Sequence, residues 1–189
     1  MTHLPLRALV VAAGVWASTA PLVAQAAPDR ASAVEYRKQF LTDLDTLQSK
    51  VVALANAVPA EKYSWRPAAG VRSFGEVFMH IASEHYIYTP MSFGGPRSPV
   101  IPRGQDAFKN FEANSSKDSV LKYLTDGFAY TKATLMAIPA DSLVGSRKLF
   151  GRDYTVMETG IGMTADLHEH LGQLIAYARM NGITPPWSK

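Results

Sequence analysis

From Phe40 onward the apolar residues fall into step with an α-helix: Phe40, Leu44, Leu47, Val51, Leu54 and Val58 lie 4, 3, 4, 3 and 4 positions apart. Helical residues turn by about 100° each, so this rhythm keeps all six on one stripe. It predicts a long helix over 31–57 with one face committed to a core, stopped near Pro59. A second helix opens at Ser73, an N-cap with Glu76 three residues on, the pattern of a capping box. It runs to about Tyr88, with Phe74, Val77, Phe78, Ile81 and Tyr88 on its apolar stripe. A third spans about Lys117 to Ile138, with Leu121, Leu124, Phe128, Thr131, Leu135 and Ile138 aligned and Pro139 ending it. The fourth runs from about Glu158 to Asn181, with Gly182 as the residue just past its end and Pro185 beyond. Four amphipathic helices in one chain predict an all-α fold, a four-helix bundle.

The connections differ in character. Residues 60–70 carry Trp65-Arg66-Pro67. Residues 89–114 hold four prolines and three glycines and read as a long connection of the kind that is often functional. Residues 140–157, with Gly145, Gly151 and a Tyr-Thr-Val run, suit a turn or a short hairpin.

Composition narrows the setting. The 189 residues are 47% hydrophobic and 19% charged with a net charge of +3, enough apolar mass for a core and no basic run of the kind nucleic acid demands. No nucleic-acid partner is expected. Met1 to Arg7 forms a basic start, Ala8 to Ala17 an apolar stretch, and Ala24-Gln25-Ala26 an A-x-A cleavage motif. Residues 1–26 are therefore expected to be a secretory signal peptide and 27–189 the mature domain, periplasmic or secreted. The apolar run is too short to span a bilayer, so no stable membrane insertion is expected after cleavage. The chain has no cysteine. Lipidation at a cysteine, disulfides and thiolate ligands are excluded, and any metal must be held by His and carboxylate groups.

The polar residues that break the helical stripes are the site candidates. On the fourth helix Asp166 and His170 are four apart, one turn above each other along one edge of the apolar face formed by Met163, Leu167, Leu171, Leu174 and Ala178. His168, although beside His170 in sequence, points elsewhere and is expected at the surface. On the second helix His80 and Glu84 share an edge in the same way, while His85 falls on the apolar stripe and rivals His80 as a ligand. Inward ligands on facing helices are how bundles build metal centres. His80, Asp166 and His170 would make a three-ligand site with an open position for water or substrate, the pattern of catalytic zinc. Glu84 would handle a proton or orient a ligand imidazole.

The run Trp65-Arg66-Pro67, then Arg72-Ser73-Phe74-Gly75-Glu76 leading to His80, and His170-Leu171-Gly172-Gln173 with Tyr177 and Arg179, resembles the DinB-like superfamily over nearly the whole mature chain. The resemblance implies a four-helix bundle, often a homodimer, holding a divalent metal ion, zinc or nickel, by one His of the second helix and an H-x-x-x-H pair on the last. Carried over by position, the ligands are His80, Asp166 and His170, with Asp166 standing where most members have His. Thiol-dependent relatives such as mycothiol-dependent maleylpyruvate isomerase are similar in placing a carboxylate there. The activity implied is a metal-dependent, thiol-type transferase, an isomerase or a hydrolase acting on a small molecule. The alternative expectation is a non-catalytic periplasmic binding or stress-response protein with a vestigial metal site.

Overall fold

The computed structural model describes residues 29–104 and 106–188. The expected signal peptide, 1–26, lies outside the described residues. Among these residues six α-helices and one hairpin follow in the order α1 (Arg30–Ala57), α2 (Phe74–Phe93), α3 (Ala107–Ala113), α4 (Lys117–Ala137), α5 (Ala140–Leu143), β1 (Ser146–Leu149), β2 (Arg152–Thr155) and α6 (Val156–Met180), with one 3-10 turn, Ala60–Lys62, between α1 and α2. The long helices α1, α2, α4 and α6 form the bundle; α1 and α2 each pack against both α4 and α6. All six members of the α1 rhythm, Phe40 to Val58, are buried, as are Leu124 and Phe128 of α4 and Leu167, Leu171 and Leu174 of α6. Burying such side chains contributes about 1.5–3 kcal/mol each, and it is this shared interior that holds the helices in register. Among the described residues no helix is long and apolar enough to cross a membrane.

Helix ends are set by local chemistry. The Ser73 hydroxyl accepts from the Glu76 N–H while the Glu76 carboxylate accepts from the Ser73 N–H, the expected capping box; Thr155 and Glu158 repeat it at the start of α6. The open carbonyls at the end of α1 are met by Lys117, whose Nζ donates to Asn56 and Val58, and Arg37 donates to Ile138 at the end of α4. Each cation sits near the start of one helix and answers the end of the other, so α1 and α4 run antiparallel, and positive charge lies where the helix dipole is negative.

The 89–114 segment is more structured than the sequence suggests. α2 continues five residues beyond Tyr88, through Pro90. The ring forfeits one helical hydrogen bond, but Thr89, Ser92 and Phe93 are buried and Phe93 packs on Phe40 at 5.6 Å between ring centroids, which keeps the turn helical. Gly94, at φ +81, ends the helix and donates to the Pro90 carbonyl. The short helix α3 then folds back on α2, anchored by Phe111 against Tyr123 and Tyr86. Seven residues span two turns, too few to display a helical period in sequence. Of the turn or short hairpin expected over 140–157, a hairpin is present at 146–155, with register Leu149↔Arg152 closing a two-residue turn at Phe150-Gly151.

Candidate metal centre

Three elements meet at one point: the middle of α2, the short α3 and the middle of α6. His80 and Glu84 lie one turn apart on α2, and His170 faces them from α6, its ring perpendicular to that of His80 at 4.6 Å between centroids. Both imidazoles turn Nε2 toward the same carboxylate oxygen. Glu84 Oε1 is 3.2 Å from His80 Nε2 and 3.3 Å from His170 Nε2. One ligand-capable atom from each of His80, Glu84 and His170 lies within 4.8 Å of the others, close enough to hold one metal ion.

The other ring nitrogens are held from behind. His80 Nδ1 pairs with Glu112 Oε1 of α3, and Glu112 is fixed by Arg72 through two contacts at 3.1 and 3.4 Å. His170 Nδ1 has a long contact, 3.5 Å, to Gln173 Oε1; Gln173 donates to the Tyr177 hydroxyl, which donates to the Arg72 carbonyl. Carboxylates or amides behind ligand imidazoles set the tautomer and leave the opposite nitrogen free to coordinate. Trp65 packs edge-on against Tyr177 and tilted against Phe74. Thus the aromatic and arginine residues flanking the histidines act as a brace between α2 and α6.

The electrostatics match a buried charge cluster. Glu84 is 2% exposed. Burial opposes its ionisation, yet hydrogen bonds from His170 and His80 outweigh that and hold the carboxyl at about 2. For His80, burial disfavours the cation but the Glu112 and Glu84 carboxylates prevail and raise it to about 9. His170 is raised as well, led by its hydrogen bond to Glu84. Asp166 is pushed up to about 6, first by burial and then by the adjacent Glu84. Glu84 Oε2 is buried without a hydrogen-bond partner among the described residues. A buried carboxylate oxygen with no donor is costly, and a cation is the group that such an oxygen and two Nε2 atoms suit; by this test the residues present fit a divalent metal.

The sequence-derived candidates sort as follows. His80 and His170 come together. Glu84, expected from sequence to handle a proton or orient a ligand imidazole, is buried between them and offers a ligand-capable atom itself. Asp166 lies beside the group at the rim, its Oδ1 3.6 Å from His170 Nε2 and its side chain 42% exposed. Of the two rival histidines of α2, His80 lies in the group and His85 does not. His85 is fully buried against α4, its Nδ1 2.8 Å from the Thr131 hydroxyl and its ring 4.1 Å from that of Phe128, and burial lowers it to about 3. His168 is half-exposed and pairs with Asp43. Glu112 was invisible to sequence reasoning: it lies 32 residues from His80, in the segment whose helix has no periodic signature.

A family model described as the DinB superfamily matches residues 43–174. The fold is similar to that of a solved DinB-like protein, YjoA, from Bacillus subtilis, at a TM-score of 0.62 and 20% identity, with 80% of this chain and 97% of that one covered. No curated protein matches the chain.

Proposed function

The chain belongs to the DinB superfamily, and on that premise we propose that His80, Glu84 and His170 hold one divalent metal ion, zinc or nickel, beside which a small molecule is bound and transformed. The observation that carries the reading is the convergence of two Nε2 atoms on one buried carboxylate whose second oxygen has no hydrogen-bond partner among the described residues. Asp166, at the rim, is the group placed to join the metal shell or to take and return a proton, and its raised pKa suits the second role near neutral pH. A metal with three protein ligands and an open position acidifies a bound water or thiol and so supplies a nucleophile near neutral pH. Chemistry of that kind is the basis for reading the protein as a thiol-type transferase, an isomerase or a hydrolase. The domain is further proposed to act as an exported protein, alone or as a homodimer; N-terminal sequencing of the mature protein checks this, with Ala27 the expected first residue.

A non-catalytic role is favoured by one observation: His80, when protonated, already lies between the Glu84 and Glu112 carboxylates, so the cluster can neutralise itself and brace the bundle. Elemental analysis of purified protein incubated with zinc or nickel separates the two. About one equivalent of metal, lost in His80→Ala and His170→Ala while helicity persists, supports the metal centre. Protein that takes up no metal and variants that simply unfold would support the bracing role.

A further inference from the structure

A cavity of about 260 Å³ opens against Asp166, at the edge of the metal group. Its walls are the apolar faces of Tyr88, Leu149, Tyr154 and Met163, from α2, the hairpin and α6. Two features mark it as more than a packing defect. Gly162, in the second turn of α6, contributes no side chain where the cavity lies, and a Cβ built there meets nothing within 4 Å. Mid-helix glycine costs about 1 kcal/mol relative to alanine, and here it leaves the exposed side of the cavity without a side chain. At the hairpin tip Phe150, which also lines the cavity, is 81% exposed and has φ +50, paired with φ +81 at Gly151. Two positive φ values at a two-residue turn are the I′ pattern, which favours Asn, Asp or Gly at the first position. A phenylalanine there is strained and leaves a large apolar ring in water beside an apolar hollow.

The charge of the lining limits what can enter. Glu158 and Asp166 are the acidic lining residues and no Lys or Arg lines the cavity; the Glu158 carboxylate is committed to capping α6 through the Thr155 N–H. Arg152, whose guanidinium lies over the Tyr154 ring at 4.3 Å, acts on the Glu158 carboxylate, so an anionic group inside would meet Asp166 with no cation of the lining to answer it. The volume exceeds the roughly 150 Å³ that suffices for benzene and falls just below the roughly 300 Å³ at which pockets for drug-sized ligands begin, so an aromatic ring fits. Three aromatic side chains in the wall favour stacked or edge-on ring contacts.

We infer that this cavity is the specificity pocket of the metal centre, holding an uncharged aromatic group of the substrate under Phe150 while the substrate's polar end reaches past Asp166 to His80, Glu84 and His170. The inference rests on the proposed metal centre for where the polar end goes, and on the cavity alone for the ring.

The test uses the zinc-loaded protein and two neutral metal-binding probes, acetohydroxamic acid and benzohydroxamic acid, with benzamide as a probe lacking the metal-binding head. Benzohydroxamate is expected to bind at least about tenfold more tightly than acetohydroxamate, from burial of the ring. In Gly162→Leu, whose added Cβ meets no atom within 4 Å and which places an isobutyl group at the cavity wall, that advantage should vanish while zinc content and acetohydroxamate affinity stay unchanged. At high concentration benzamide should shift the Met163 methyl resonance in the wild type and not in Gly162→Leu. Equal affinities for the two hydroxamates, or an advantage that survives in Gly162→Leu, overturn the pocket and leave the metal centre standing. If zinc does not bind, the metal centre falls and benzamide decides the pocket: a Met163 shift abolished by Gly162→Leu retains it, and an unmoved Met163 removes it.

Discussion

Glu84 is the residue on which the centre turns, because it alone touches both imidazoles. Its neighbours determine how well it and they are aimed. Glu112 reaches His80 Nδ1 from α3 and is itself held by Arg72, so Glu112→Gln keeps the shape and removes the charge that makes the imidazole a strong ligand. Losing such a partner typically lowers metal affinity by about 10–100-fold; zinc titration calorimetry is expected to show a loss in that range with unchanged stoichiometry. The same contacts set a pH dependence. In the metal-free protein His80 is raised from 6.5 to about 9, and His170 is raised too. A histidine whose folded pKa exceeds its unfolded value adds stability that is complete below about 6.5 and is lost as the pH rises through the folded value. Asp166, raised from 3.8 to about 6, and Glu84, lowered to about 2, complete their changes at lower pH. The metal-free protein should therefore lose thermal stability between about pH 6.5 and 9, while zinc affinity rises over the same interval as His80 gives up its proton. Calorimetric melting with and without zinc reads both; a metal-free Tm that rises with pH would contradict the assignment.

At the scale of elements, the site depends on α2 being seated correctly against the α3–α4 junction. Gly75, in the first turn of α2, makes that approach: a Cβ there would lie 2.4 Å from the Ser115 carbonyl oxygen, and its N–H donates to Tyr63. Gly75→Ala improves helix propensity but forces a backbone atom aside, and overpacking of this kind costs about 1–3 kcal/mol. Urea unfolding should show a lower midpoint at unchanged slope, and zinc affinity should fall because His80 shifts relative to Glu112. The helices themselves were readable because their signal is local: the Phe40–Val58 rhythm, the Ser73/Glu76 box and Gly182 all act within a few residues. What escaped was decided by neighbours distant in sequence. α2 outlasts Pro90 because Phe93 finds Phe40, and α3 forms because Phe111 finds Tyr123; neither partner is visible from within the segment.

Across the whole molecule the bundle sorts its histidines by which helix each one meets. His80 faces α6 and joins the centre, whereas His85, five residues on, faces α4 and becomes a buried, uncharged core residue beside Thr131. Helical geometry placed both on inward edges of α2, but the assignment of edge to neighbour is a property of the assembled bundle. For the same reason His170 was identifiable from its spacing, while Glu84, expected to handle a proton or orient an imidazole, shows its place among the candidate ligands only once α6 is laid across it. The proposed centre is thus a product of assembly, with α2 offering two candidate ligand atoms, α6 one, α3 the charge behind His80, and the hairpin the wall of the adjoining cavity. The most direct test is a crystal of the zinc-soaked protein with anomalous data at the zinc edge. The expected result is one peak about 2.0–2.2 Å from His80 Nε2, Glu84 and His170 Nε2. A map without a peak between α2 and α6, or with zinc held only by surface groups such as His168 and Asp43, would contradict the account.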